Sequence, residues 1–282
     1  TKGPGLGLVL NPKEIRGFNI GDDKYPGDLQ SLIEAGPSAL NAAAATLKDG
    51  PELDVGALDY LPPIPNPSKI ICIGLNYVDH TSETGFVQPD YPTVFSRFAS
   101  TLTGHERDLI KPKQSEQFDY EGEIAAIIGK TCFKATAETA LDHIIGYSIF
   151  NDVSVRDYQF KSPQWTMGKN FDGTGVFGPA FVTAESLPPG IKGLKIETRL
   201  NGEVVQSAST DDLVFDVATL IVLLSDVMTL NPGDVVVTGT PAGVGMARNP
   251  QLWMKHGDRV EVQVEQLGTL RNNVVELGQI ST

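Results

Sequence analysis

The chain reads as an α+β protein, mainly β, with a small N-terminal α/β domain over residues 1–65 and a larger, strand-rich domain over residues 66–282. Three observations predict this. Four prolines fall within six residues, at Pro62, Pro63, Pro65 and Pro67. Proline at that density neither continues a helix nor joins a central sheet, so the stretch is a stiff connector and a domain boundary. Downstream, "LKIETRLNGEVVQSAS", "GDVVVTG" and "DRVEVQVEQLGTLRNNVVE" alternate apolar and polar residues around turn sequences, the period-two signature of strands. Helical signals in the larger domain are few.

Ahead of the connector, short strand-like pieces surround a helix across "DLQSLIEAG" and an alanine-rich segment, "SALNAAAATLKDG". After it, "KIICIGLNY", "EGEIAAIIG" and "HIIGYSIFND" are apolar strand candidates, and the "NG" within "RLNGEVV" marks a hairpin. Two helices are expected. "TAETALDHIIG" opens on a capping threonine and closes on Gly146, and "DDLVFDVATLIVLLSDVMTL" begins with aspartates and stops at "NPGD". No repeat recurs at a fixed period.

Composition excludes several functions. Twenty-two basic against 35 acidic residues give a net charge of −13, which disfavours nucleic acid and other polyanions as partners. The longest apolar run, Ala218 to Leu230, is broken by Ser225 and Asp226 and is too short to span a bilayer. No basic stretch followed by an apolar one marks the N-terminus, so cytoplasmic residence is the default expectation. The two cysteines, Cys72 and Cys132, sit among apolar neighbours and read as buried reduced thiols rather than a disulfide framework or zinc cluster.

The chemistry begins at "DYEGEIAAIIGK". Glu121 and Glu123 stand two apart at the start of a strand, so their carboxylates share a face, where like charges repel and burial worsens the repulsion. A hard divalent cation such as Mg²⁺, Mn²⁺ or Ca²⁺ would relieve it. Asp152, ending the strand candidate "GYSIFND", supplies a third oxygen ligand; a solvated strand edge would give the same pair of glutamates. His80 and Glu83 are three apart in "GLNYVDHTSETG", a spacing that joins side chains on one helical face and lets a carboxylate orient an imidazole. Alternatively, the pair decorates a surface turn. Gly85 and its polar neighbours suggest a loop that closes over a ligand. Arg156, Gln159 and Lys169 follow Asp152 and suit neutralising acids, orienting a polar group and stabilising a developing oxyanion, or else are solvated side chains. "VVVTGTPAGVG" lacks the lysine of a phosphate loop, yet Thr240 and nearby amides suit a carboxylate or keto oxygen as well as a tight hairpin.

The ordered set "ICIGLNYVDHTSETG", "DYEGEIAAIIGK", "GYSIFNDVSVRDYQ", "MGKNFDGTGVFGP", "VVVTGTPAGVG" and "HGDRVEVQVEQLGTLRNNVV", across roughly residues 68–277, resembles the fumarylacetoacetate hydrolase family. The resemblance implies a mixed β-roll catalytic domain, a homodimer, and Mg²⁺ or Mn²⁺ on Glu121, Glu123 and Asp152. It implies further that His80 and Glu83 form a water-activating dyad on a lid, that Lys169 and Thr240 contact substrate, and that Arg156 and Gln159 line the site. Arg97, followed by Phe98, stands where many relatives carry lysine and proline, and its planar fork is expected at the substrate. The expected reaction is hydrolytic cleavage of a carbon–carbon bond in a 2,4-dioxo acid (an acylpyruvate) or related 1,3-dicarbonyl compound, with negative charge developing beside the cation. Decarboxylation of a 2-oxo diacid, or hydration or isomerisation of an unsaturated 2-oxo acid, uses the same groups. A non-catalytic cation-binding β module would need the acids but not His80, Glu83 and Lys169.

Overall fold

The computed structural model describes residues 3–83, 87 and 89–276. Gly85, expected in a closing loop, lies outside the described residues.

Two sheets form the body of the chain. The larger has seven strands in the order Thr93–Arg97, Ile70–Gly74, Val235–Val237, Gly122–Ile128, Ile144–Asp152, Gly175–Thr183 and Leu102–Thr103. The second has five: Glu203–Ser209, Lys195–Leu200, Arg259–Val264, Gly268–Glu276 and Leu109–Lys111. The strand Gly122–Ile128 is buried along its whole length, and strict alternation sends its residues into two cores. Ile124, Ala126 and Ile128 join a core with Ile196, Val260 and Val262 of the five-stranded sheet, whereas Ala125 and Ile127 pack with Cys72, Phe150 and Val237 on the opposite side. By the same alternation Glu123 projects from the face that carries Ala125 and Ile127, so the acids lie where that apolar face runs out.

Residues 5–53 contribute a separate three-stranded sheet and the helices Leu29–Ala35 and Pro37–Lys48. The first helix is capped by Asp28, which accepts the Ser31 N–H at 2.9 Å, and ends on Gly36 at φ 91°. This unit does not keep its apolar residues to itself. Ile33 and Ile64, the latter from within the proline run, are both fully buried in the core that holds Cys72, Ala125 and Ile127. The stiff connector is thus anchored on the large sheet through Ile64.

The hairpin at Asn201–Gly202 forms as its sequence demands: Leu200 pairs with Glu203, and the two turn residues take φ 54° and 87°, the left-handed conformation that Asn and Gly tolerate best. The helix expected over "TAETALDHIIG" does not form. Only the single 3-10 turn Ala140–His143 is helical, and from Ile144 the chain is a strand pairing with Ile128; the β-branched Ile144 and Ile145 win over the capping signal. The later helix spans Val217–Val227, and its cap is Asp216, which accepts the Thr219 N–H at 2.9 Å. Asp211 and Asp212 instead belong to a separate 3-10 turn, closed by a reciprocal capping box with Ser209. Among the described residues no helix is long and apolar enough to cross a membrane.

Candidate metal and active site

Antiparallel pairing of Gly122–Ile128 with Ile144–Asp152 brings the acids together. Phe150 lies opposite Glu123, Asn151 opposite Gly122, and the Asp152 N–H donates to the Glu121 carbonyl at 2.9 Å. Carboxylate oxygens of Glu121, Glu123 and Asp152 come within 4.8 Å of one another, and all three residues are at least nine-tenths buried. Glu121 is the more compensated glutamate. Burial alone would raise its pKa, but Lys169 and Arg156 hold it at about 2; the Lys169 ammonium lies 2.6 Å from one carboxylate oxygen and the Arg156 guanidinium 2.6 Å from the other. Glu123 is pushed well above the ordinary carboxylate range by burial and by the charges of Asp152 and Glu121, and the Gly239 N–H, 2.6 Å from Oε2, offsets only part of this. Lys169 also donates to Asp152 Oδ2 at 2.7 Å. Burial disfavours its charge, yet Asp152 and Glu121 outweigh that and raise its pKa.

This donor set fits a hard divalent cation. Three converging carboxylates offer only oxygen, the choice of Mg²⁺, Mn²⁺ and Ca²⁺ rather than of metals that prefer nitrogen or sulfur, and the uncompensated charge around Glu123 is what such an ion would neutralise.

His80 and Glu83 lie on the short helix Val78–Glu83, with His80 Nδ1 3.0 Å from Glu83 Oε1. The glycine-rich segment anchors the glutamate: the Gly243 N–H reaches its two oxygens at 2.9 and 2.8 Å. Gly243 has φ 108°, and a β-carbon there would overlap the Val205 carbonyl, so only glycine suits the position. Base of the helix and glycine segment are tied by Asn76, whose amide donates to the Phe215 and Thr238 carbonyls at 3.0 and 2.8 Å.

Asp119 was missed by sequence reasoning, although it continues the alternation of Glu121 and Glu123 by one step. It is fully buried, accepts N–H groups of Gly245 at 2.7 Å and Met246 at 3.1 Å, and holds Arg156 Nε at 2.8 Å. Burial raises its pKa, with Arg156 opposing. One segment, Gly239–Met246, therefore fastens three acids from three places: Glu123, Glu83 and Asp119. Its amides grip the protein's own carboxylates, not a substrate's as the sequence suggested.

The remaining residues divide. Arg156 and Gln159 line the pocket beside the acids and bond each other at 2.9 Å; Arg156 Nη2 is buried without a hydrogen-bond partner among the described residues. Thr240 also lines it, but its hydroxyl is engaged, donating to the Gly122 carbonyl at 3.0 Å and accepting from Gln206 at 2.8 Å. Arg97, expected at the substrate, is turned to one of the acids. Its guanidinium is buried, donating to Asp152 Oδ1, to the Val153 carbonyl at 3.2 Å and to Thr174 at 2.6 Å. The fork serves an acid 55 residues away, a contact no spacing rule could reveal.

Residues 69–275 match the family model of the fumarylacetoacetate hydrolase C-terminal domain. The chain belongs to the fumarylacetoacetate hydrolase family. It is 39% identical over 277 residues to human mitochondrial oxaloacetate tautomerase FAHD2A, spanning 97% of this chain and 88% of that one. Among solved structures it is similar to fumarylacetoacetate hydrolase from Exiguobacterium antarcticum, at 36% identity and TM-score 0.81 with 96% and 94% of the chains covered. It is also similar to maleylpyruvate hydrolase from Sphingobium sp. SYK-6, in complex with manganese and pyruvate, at 28% identity and TM-score 0.79 with 97% of each chain covered. Family members thus include tautomerases and hydrolases, and the mainly β architecture is theirs.

Proposed function

We propose that the protein is a divalent-metal-dependent enzyme interconverting the keto and enol forms of a small 2-oxo diacid, of which oxaloacetate is the model. The observation that carries this is that an oriented histidine and two buried cations line the same pocket as the acid centre. A Mg²⁺ or Mn²⁺ ion held by Glu121, Glu123 and Asp152 would supply positive charge beside the oxygens of a 2-oxo acid. Glu83 accepts the Nδ1–H of His80, so in the neutral ring the lone pair belongs to Nε2. His80 Nε2 takes a proton from C3 of the keto acid, and a proton reaching the C2 oxygen completes the enol; ketonisation is the reverse. Lys169 steadies the charge that builds on oxygen between these steps. Arg156, with Nη2 unsatisfied, suits a substrate carboxylate. The near-full-length similarity to oxaloacetate tautomerases supports the choice of diacid.

A second reading is hydrolysis of an acylpyruvate, in which the same Nε2 deprotonates water. The similarity to maleylpyruvate hydrolase favours it. Enol-oxaloacetate decay, followed by absorbance with Mg²⁺ or Mn²⁺, with chelator and in His80→Ala, tests the first reading. A rate at the spontaneous level, or one indifferent to both chelator and the substitution, overturns it; cleavage of acetylpyruvate without acceleration of ketonisation establishes the second.

A further inference from the structure

The pocket that holds the acids and their cations is also lined by apolar residues, among them Ile73, Phe95, Phe160, Trp165 and Met246. Whereas Phe160 is exposed, Trp165 is, like Phe95, half-buried. Its ring meets Phe95 edge-on, centroids 5.5 Å apart at 64°. It also lies against Gly74, where a β-carbon would overlap the indole. Phe95 and Gly74 belong to adjacent paired strands, Thr93–Arg97 and Ile70–Gly74, so the indole rests on a sheet surface.

Its backbone is equally fixed. The Trp165 carbonyl accepts the N–H groups of Gly168 at 3.0 Å and Lys169 at 3.2 Å, and Gly168 is pressed so closely on Gln159 that a β-carbon would overlap that residue's backbone. Four residues beyond Trp165, the Lys169 ammonium engages Glu121 and Asp152 and lies 5.0 Å from the Phe95 ring centroid. One short turn thus sets the distance between the charged floor and the indole. The enclosed space of the whole pocket is about 20 Å³, on the scale of a water or an ion, so a ligand's bulk must be met by the residues that line it.

We propose that Trp165 is a specificity-determining residue: its indole bounds the pocket and restricts this chain to short 2-oxo acids. The inference rests on the 2-oxo acid reading and concerns this site. A flexible side chain could swing aside for a longer ligand; an aromatic ring seated on Gly74 and Phe95 has little room to do so, and each added methylene must displace it. In a hydrophobic pocket one methylene changes discrimination by roughly 10- to 200-fold.

Binding of pyruvate, 2-oxobutyrate, 2-oxohexanoate and 2-oxooctanoate to the Mg²⁺-loaded protein, by calorimetry, tests this without requiring turnover. The wild type should bind the two short acids and lose affinity steeply with length. In Trp165→Ala the ratio of 2-oxooctanoate to pyruvate dissociation constants should fall by about tenfold or more, with Trp165→Phe in between. Mn²⁺ affinity, by electron paramagnetic resonance, should change less than twofold, which a general loosening of the site would not allow. Pyruvate binding with an unaltered length dependence in Trp165→Ala overturns the role of Trp165 and leaves the 2-oxo acid reading standing. Failure of the wild type to bind any of the four overturns both.

Discussion

The floor of the pocket and the helix that carries His80 are built to different standards. On the floor three of the four acids are held at least twice: Glu121 by Lys169 and Arg156, Asp152 by Lys169 and Arg97, Asp119 by Arg156 and two amides; Glu123 is held by the Gly239 amide. Such buried, mutually satisfied charges resist rearrangement, because removing one partner strands another away from water. The His80 helix is six residues long; among its anchors are the Glu83 carboxylate on the glycine segment and Asn76 below. The difference teaches that the acids are fixed by many long-range contacts of the fold, whereas His80 is positioned through a short helix with few named anchors.

Substitutions should separate the two regions. The largest effect is expected from Glu123→Ala, which removes an ion ligand and the negative charge that the cations of the floor leave uncompensated: calorimetry should find Mg²⁺ binding lost and ketonisation reduced to background. Retained affinity would show that the ion does not belong there. His80→Ala should lower kcat by roughly 10²–10⁴-fold, the usual contribution of a general base, while Mg²⁺ affinity stays within twofold. A parallel loss of affinity would dissolve the distinction between floor and helix. Arg97→Met, which frees Asp152 Oδ1, should weaken Mn²⁺ binding by about 10- to 100-fold, as outer-shell changes do, with Arg97→Lys milder. Tighter binding would mean that removing competing positive charge outweighs losing orientation.

The smallest effect lies away from both regions and calibrates them. His105 is buried edge-on against Tyr60 and accepts the Arg271 N–H at 3.1 Å. Burial lowers its pKa from 6.5 to about 4. A neutral folded imidazole that would protonate more readily when unfolded contributes fully above pH 6.5, and its contribution is lost as pH falls toward 4. His105→Gln should therefore flatten the dependence of Tm on pH between these values. An unchanged slope would assign acid sensitivity to the carboxylates of the floor.

Local spacing made part of this legible in the sequence. Glu121 and Glu123 at alternate positions, Asp152 at a strand end, and His80 three residues from Glu83 each obey a short-range rule, and the structure brings each set together. Asp119 was equally accessible to the same alternation, had it been followed one step back. Long-range pairing stayed hidden: the amides of Gly239, Gly243 and Gly245 meet acids 116, 160 and 126 residues distant, and a glycine-rich turn looks the same whether it faces a substrate or its own chain. Likewise the threonine before "AETALDHIIG" carried a genuine capping signal that tertiary pairing of Ile144 with Ile128 overrode.

Since the amides of a single run of eight residues, Gly239 to Met246, grip Glu123, Glu83 beside His80, and Asp119 beneath Arg156, none of the three can drift by itself. Lengthening or shortening that run by one residue would dislocate them in concert, so descendants of this chain that acquire new substrates are expected to change the pocket's outer wall and to keep the run's length.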